Sequence, residues 1–396
     1  MTKLTPPAGL SLAALLLAVA PLVAQASTAK PLAPAPTPYN SLPPQSGDSF
    51  YFAVGGDNRP VGHGEPMPPS GPEIFKEIGL IRPSLTLWSG DMIFGYNDTH
   101  AEADAEYDEF LAMAAGAKGP VFCIPGNHEV GFDPTEIDEY VKKIGPTYGS
   151  FDFDGSHFIG IDDSQILNGK ITPGRIDPTQ MAWLKADLAA NQSADNIFIF
   201  FHHYMYGPVD PDDPTAGNTG LVDENYRDML EKLFARYHVR AVFNGHAHMY
   251  YHERHDGVDY YIAGNAGSPM DVDPQDGGWL GYCLFHVEGG KVSSVNLMPW
   301  TLFQRTISGN DGKTATSEVV VDNYGHQTLN LRGVDVLMPA AASYAVSADN
   351  ASKKAALPVP ASVLSAKPDG AGMELVTIGV TAKDARPTYI TVTSAG

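Results

Sequence analysis

An α/β domain followed by a small β-rich module is the fold class that this 396-residue sequence predicts. Short apolar runs alternate with stretches of helical periodicity through the first two thirds of the chain. Beyond residue 262 strand-like runs follow one another with no helix between them. Strand and helix in regular alternation place helices against the faces of a sheet, whereas strands in succession build antiparallel structure.

The elements follow in order. Residues 1–26 read as a secretory signal peptide. Lys3 supplies a positive start, 10–23 form an apolar run, and Ala24-Gln25-Ala26 matches the small-x-small cleavage pattern, which puts the mature start near Ser27. The apolar run is short for a span, which needs about 20 residues, so export to a periplasm or the medium is expected, with an uncleaved anchor as the alternative. Residues 27–47, rich in Pro and Ala, read as an extended, solvated linker. Apolar runs at 50–54, 85–88, 121–124, 158–161, 197–201 and 239–243 predict strands, and 101–115, 179–190 and 224–237 predict helices. In the last of these, Met229, Leu230, Leu233 and Phe234 fall on one helical face. Runs at 282–287 and 291–297 close the domain, which is expected to span 48–300. In the remainder, 301–396, short strands are expected at 317–321, 334–337, 373–378 and 389–392, with 340–369, rich in Ala, Ser and Pro, expected to be loose.

Composition narrows the function classes. The formal charge of −21, from 46 acidic and 25 basic side chains, argues against a stable nucleic-acid complex, which needs clustered Lys and Arg. It leaves a phosphorylated substrate possible, because bound cations reverse the local sign of a pocket. With only Cys123 and Cys283, both in apolar strand-like runs, no disulfide framework is possible and one bridge at most; two buried thiols are expected over that bridge.

The chemistry gathers where strands end. Gly56-Asp57-Asn58-Arg59, Gly90-Asp91, Gly126-Asn127-His128-Glu129, His202-His203 and Gly245-His246-Ala247-His248 each follow an apolar run, and Gly264-Asn265-Ala266-Gly267 is a sixth, ligand-poor cluster. In open α/β sheets ligands bind beyond the carboxyl ends of the strands, so these residues are expected to share one crevice. Carboxylate, amide oxygen and imidazole without thiolate suit zinc, iron, manganese or magnesium. Two such cations a few ångströms apart make a nucleophile from water and clamp an in-line displacement at phosphorus. His252 and His255 read as ordinary polar side chains, and 264–267 as a tight turn bordering the pocket.

In this order the clusters resemble the calcineurin-like metallophosphoesterase superfamily, with some likeness to purple acid phosphatases, over about residues 50–299. Gln180-Met181-Ala182-Trp183-Leu184 is similar to a helix that the family places between its third and fourth blocks. The resemblance implies a two-sheet β-sandwich flanked by helices, a four-layer α/β/β/α arrangement. It further implies two divalent or trivalent cations, with Asp57 and His248 on the first, Asn127, His202 and His246 on the second, and Asp91 bridging. His128 is implied to protonate the leaving group or steady the phosphate, with Glu129 orienting it, and His203 to face the substrate.

Two departures fall on the first cation. Many relatives carry His where this chain has Arg59, and purple acid phosphatases carry Tyr where it has Phe94. Guanidinium has no lone pair to give, so Tyr96, Asn58, His63 or water is left to complete that site, and Arg59 is expected to hold a phosphate oxygen or the Asp57 carboxylate. The expected function is hydrolysis of a phosphomonoester or phosphodiester by a water that two metal ions activate. The alternative is an exported pseudoenzyme that binds a phosphorylated or glycan ligand. A serine hydrolase lacks its Gly-x-Ser-x-Gly elbow. Loop 204–219, expected to set specificity, carries no readable code.

Overall fold

The computed structural model describes residues 31–395 apart from positions 46, 48, 69, 97 and 371 and the stretches 132–134, 168–169, 208–223, 273–276, 300–302, 306–314, 324–328, 351–356 and 383–385. The expected signal peptide and most of loop 204–219 therefore lie outside the described residues.

Two sheets face each other. In the first, β1 (Ser49–Gly55), β2 (Leu85–Trp88) and β3 (Val121–Cys123) run parallel. In the second, β4 (Gly149–Phe153) pairs antiparallel with β5 (Ser156–Gly160). A short hairpin follows, β6 (Ser164–Leu167) with β7 (Lys170–Pro173). Then β8 (Asn196–Phe200) and β9 (Ala241–Asn244) extend β5 in parallel. Next come β10 (Tyr250–His255) and β11 (Val258–Ala263), and β11 lies parallel to β9. Finally β12 (Gly281–Glu288) adds antiparallel to β1 and β13 (Lys291–Pro299) antiparallel to β12, which gives the orders β13-β12-β1-β2-β3 and β10-β11-β9-β8-β5-β4.

Period-two alternation decides which side chains fill the sandwich. Phe50, Phe52 and Val54 of β1 point inward to meet Phe158, Phe198 and Phe243 from the second sheet. The Phe52 ring lies 5.5 Å from Phe158, 5.1 Å from Phe198 and 5.0 Å from Phe285, centroid to centroid. Full burial of such a ring is worth roughly 1.5–3 kcal/mol. Cys123 and Cys283 are both free thiols in buried positions.

The outer faces carry helices. Over the first sheet lie α1 (Ser70–Ile81) and α2 (His100–Ala114), with Phe75 stacked on Trp88 at 4.3 Å. Thr99 and Glu102 form a capping box that satisfies exposed amides at the start of α2. After β3 come the single turn α3 (Asn127–Val130) and α4 (Glu136–Lys143). Over the second sheet, Trp183, Leu184 and Leu188 of α5 (Pro178–Ala190) and Leu230 and Phe234 of α6 (Glu224–Arg236) pack on Ile159, Ile197, Ile199 and Val242. The result is the four-layer α/β/β/α sandwich.

Seven strands follow: β14 (Phe303–Arg305), β15 (Thr316–Asn323), β16 (Leu329–Pro339), β17 (Ser343–Asn350), β18 (Ala361–Gly370), β19 (Met373–Ala382) and β20 (Arg386–Ala395). They form the sheets β14-β15-β20-β17 and β16-β19-β18. This β-rich module docks beside α1, where Asp335 pairs with Lys118 and Arg82.

Two expectations need correction. Residues 340–369 are not loose throughout, since β17 and β18 lie within them. Their Ala and Ser residues hide the alternation, and the ladders to β20 and β19 supply the order. The segment before β1 is not a solvated linker from residue 31 onward. Leu32 and Ala35 are buried, and the Leu32 and Ala35 amides donate to the Ser150 and Val121 carbonyls. Two small apolar contacts and edge pairing anchor a stretch whose composition reads as solvated.

Candidate metal centre

The parallel strands β1, β2 and β3 of one sheet and β5, β8 and β9 of the other bring their carboxyl ends to one edge of the sandwich. The loops leaving them carry Asp57, Asp91, Asn127, Asp163, His202 with His203, and His246 with His248. Three of these residues hold left-handed backbone: Asp57 at φ 59°, Asp91 at 53° and His246 at 69°. Non-glycine residues adopt that region uncommonly, Asp and His more readily than most, and such residues recur at functional sites as well as in turns. The neighbouring glycines serve close packing. A Cβ on Gly126 would lie 2.2 Å from Asp91 Oδ1, and one on Gly245 2.3 Å from Asp57 Oδ2.

One half of the cluster is a convergence of acceptors. His202 Nδ1 meets the Ser89 carbonyl at 2.7 Å. A carbonyl only accepts, so the proton sits on Nδ1 and the lone pair on Nε2. That lone pair faces Asn127 Oδ1 at 2.9 Å and Asp91 Oδ1 at 3.3 Å. Asn127 is held in this orientation because its Nδ2 donates to the Tyr96 hydroxyl at 2.6 Å. His246 Nδ1 lies 2.9 Å from the same Asn127 oxygen. Burial pushes the His202 imidazole down to about 4, so it is neutral near pH 7. Lone pairs facing one another in a buried pocket repel, and a cation between them turns each into a ligand.

The other half is acidic. Asp57 and Asp91 are buried, and His248 Nε2 stands 3.7 Å from Asp57 Oδ1 while its Nδ1 donates to the Pro269 carbonyl at 2.8 Å. Burial, then the charge of Asp91, drive the Asp57 carboxyl well above the usual range. Burial pushes Asp91 the same way, but the imidazoles of His202 and His128, in their protonated forms, and the guanidinium of Arg59 outweigh it and hold Asp91 low. Donor atoms of Asp57, Asp91 and His248 lie within 4.8 Å of one another, as do those of His202, His203 and His246. Both donor groups suit cations, and Asp91 touches both.

The remaining expected residues are placed as follows. His128 donates from Nδ1 to the Phe94 carbonyl, packs against the Tyr96 ring at 4.2 Å between centroids and a tilt of 36°, and directs Nε2 toward Asp91 Oδ2 at 3.8 Å. Glu129 does not orient His128. Its buried carboxylate accepts four backbone amides, from Asp91 at 2.8 Å, Gly126 at 2.6 Å, Met92 at 2.6 Å and Ile93 at 3.2 Å. Burial, then the Asp91 charge, push its pKa up to about 8 despite those donors. Glu129 is thus a positioning residue that ties the Asp91 loop to the Asn127 loop. Arg59 Nε lies 3.6 Å from Asp91 Oδ2, beside the bridging candidate rather than on Asp57. Neither Asn58 nor His63 turns toward the first donor group, since Asn58 Oδ1 accepts from Trp88 Nε1 and His63 pairs with Asp98. His252 stacks on Tyr261 and His255 on Tyr206, away from the cluster. Gly264 borders the pocket, where a Cβ would lie 2.5 Å from Asp57 Oδ2.

Sequence reading missed Ser89, Asp163, Pro269 and Asp271. Asp163 accepts the amides of both His202 and His203, and Asp271 accepts the amide of His248 at 2.9 Å. Asp163 had a legible signal, since it follows the apolar run at 158–161 as the other ligands follow theirs.

Residues 72–250 match the family model described as calcineurin-like phosphoesterase. A serine/threonine-protein phosphatase CPPED1 from Rattus norvegicus is 24% identical over 198 residues, 48% of this chain and 62% of the relative. A 3',5'-cyclic adenosine monophosphate phosphodiesterase CpdA from Haemophilus influenzae is 25% identical over 169 residues, 41% of this chain and 54% of the relative. The chain thus spans between about half and two thirds of the length of these curated relatives. Among solved structures, a purple acid phosphatase from yellow lupin overlaps 65% of this chain and 55% of its own, at 14% identity and a TM-score of 0.46. In its ordered ligand blocks, its four-layer fold and the match over residues 72–250, the chain is similar to the calcineurin-like phosphoesterase family.

Proposed function

We propose that this protein hydrolyses a phosphomonoester or phosphodiester at a centre of two metal ions. The observation that carries the reading is that Asp91 stands between two donor groups, with Asp57 and His248 on one side and Asn127, His202 and His246 on the other. The ion types that suit such donors are zinc, iron, manganese or magnesium. When bound, the cations supply an activated water and neutralise charge that builds on phosphorus.

The chain's own residues do the rest. Arg59, with fixed charge beside Asp91, binds a phosphate oxygen of the substrate. His128, its Nδ1 proton engaged by the Phe94 carbonyl, carries a transferable proton on Nε2 as the imidazolium, a form that burial disfavours and the neighbouring Asp91 carboxylate favours. As water forms its bond to phosphorus and the ester P–O bond breaks, that proton passes to the departing oxygen. Tyr96 keeps the His128 ring in place by packing against it and keeps Asn127 Oδ1 turned to the cluster.

One assay panel tests this reading: hydrolysis of nitrophenyl and alkyl phosphate mono- and diesters with manganese or zinc added, by the parent, His128→Asn and Arg59→Ala. The parent is expected to be active only with metal. His128→Asn should slow alkyl esters by about 10²–10⁴-fold and nitrophenyl esters far less, since nitrophenolate leaves without a proton. Arg59→Ala should raise KM. A metal-loaded parent that binds phosphate and hydrolyses none of the esters would instead identify a binding protein.

Export belongs to the same reading, supported by Lys3, the apolar run at 10–23 and Ala24-Gln25-Ala26. Among the described residues no helix is long and apolar enough to cross a membrane. Mass spectrometry of the protein recovered outside the cytoplasm should find a chain starting near Ser27, and an intact Met1 start there would contradict cleavage.

A further inference from the structure

We infer that His203 is a third imidazole donor to the cation shared by His202 and His246, rather than a group that faces substrate. The inference rests on the two-metal reading above and specifies one of its sites. His203 is fully buried, at 0% exposure, so a substrate reaches its ring only if the surrounding residues move. Its amide donates to Asp163 Oδ2 at 3.1 Å, and its Nδ1 lies 3.2 Å from the same oxygen. A carboxylate only accepts, so the Nδ1 proton is fixed and the lone pair is on Nε2. That Nε2 is buried and has no hydrogen-bond partner among the described residues. An imidazole nitrogen left so is costly, and a carboxylate on the far nitrogen is the arrangement that orients a histidine for a metal.

The neighbours fit the same role. The His203 ring centroid is 4.5 Å from that of His246 and 5.0 Å from that of His202. The three residues each offer a ring nitrogen within 4.8 Å of the others. Two nitrogens bound to one ion stand at most about 4.2 Å apart, twice a bond of roughly 2.1 Å. A small inward shift on loading therefore closes the site. Three imidazoles with the Asn127 amide oxygen and Asp91 suit zinc, iron or another borderline cation better than magnesium or calcium, which prefer oxygen. The other site, with Asp57, Asp91 and His248, is poorer in donors. The two cations should accordingly differ in both affinity and kind.

The test uses the full chain. X-ray absorption of His248→Ala loaded with one equivalent of zinc, whose first donor group has lost its imidazole, counts the imidazoles on the remaining ion. Three are expected, and a count of two overturns the inference. Titration of the parent and of His203→Phe, which keeps a ring without a lone pair, should show the tighter zinc Kd weakened at least tenfold. An unchanged Kd in folded His203→Phe overturns it as well. If His203→Phe does not fold, the imidazole count decides alone. A parent that takes up no zinc, iron or manganese at all sinks the two-metal reading itself, which is a different result from a parent that binds two ions through two imidazoles and His248.

Discussion

Asp91→Asn should strip the protein of metal and lower turnover by at least about 10³-fold, roughly 4 kcal/mol in barrier. The substitution keeps the shape of the side chain and removes its charge. In the parent that charge stands 3.3 Å from His202 Nε2, 3.8 Å from His128 Nε2 and 3.6 Å from Arg59 Nε, with Asp57 buried alongside. Asp57 reaches the second group only at the His246 amide, whereas Asp91 reaches its imidazole ligand atoms. An amide in its place gives one neutral oxygen and turns an NH₂ toward one group or the other, where it repels a cation. Metal analysis after dialysis, together with initial rates at saturating metal, checks both halves. Retention of two equivalents with activity within about tenfold of the parent, ~1.4 kcal/mol, removes Asp91 from the bridging role.

Glu129→Ala should destabilise the metal-free protein by about 4 kcal/mol, although Glu129 touches no substrate in the proposed reaction. Four backbone amides, those of Asp91, Met92, Ile93 and Gly126, end on this one buried carboxylate. Each buried donor deprived of its acceptor costs roughly 1–3 kcal/mol, less where water enters the space. The same amides set the left-handed turn at Asp91, so metal affinity should fall along with stability. Urea unfolding reads the first effect and zinc titration the second. Glu129→Gln should fall between, because its oxygen can keep some of the amides while its NH₂ opposes the rest. A loss below about 1 kcal/mol with zinc affinity unchanged would show that the Asp91 and Asn127 loops hold their shape without Glu129. A rate loss confined to alkyl esters in metal-replete, stable Glu129→Ala would restore the role of orienting His128 that the geometry contradicts.

Much of the fold was legible before any coordinates. The runs at 50–54, 85–88, 121–124, 158–161, 197–201 and 239–243 became β1, β2, β3, β5, β8 and β9, because strands buried on both faces read as unbroken apolar stretches. Helix α1 was not legible. Gly71, Pro72 and Gly79 weaken its pattern, yet Gly79 is required, since a Cβ there would lie 2.1 Å from the Gly116 carbonyl. Strands β17 and β18 escaped for a related reason. Each leaves one side to solvent and is rich in Ala and Ser, so their order comes from ladder partners far along the chain.

The sequence by itself determined which residue types stand at the strand ends, and in what order. That ordered set carried Asp57, Asp91, Asn127, His202, His246 and His248 as donor candidates, because ligand chemistry is a property of the side chain. What each neighbour does was decided only by tertiary structure. Glu129 follows His128 directly in the chain, yet its carboxylate turns to the Asp91 loop, 38 residues away from its own position. Asp163 lies about 40 residues from His203 and fixes its tautomer. Arg59, two residues from Asp57, pairs with Asp91 instead. Hydrogen bonds are short and directional, so their partners are chosen by how two sheets and their loops meet in space. Sequence spacing does not report that meeting, and the roles of Glu129, Asp163 and His203 emerge only where the loops of both sheets converge on one edge.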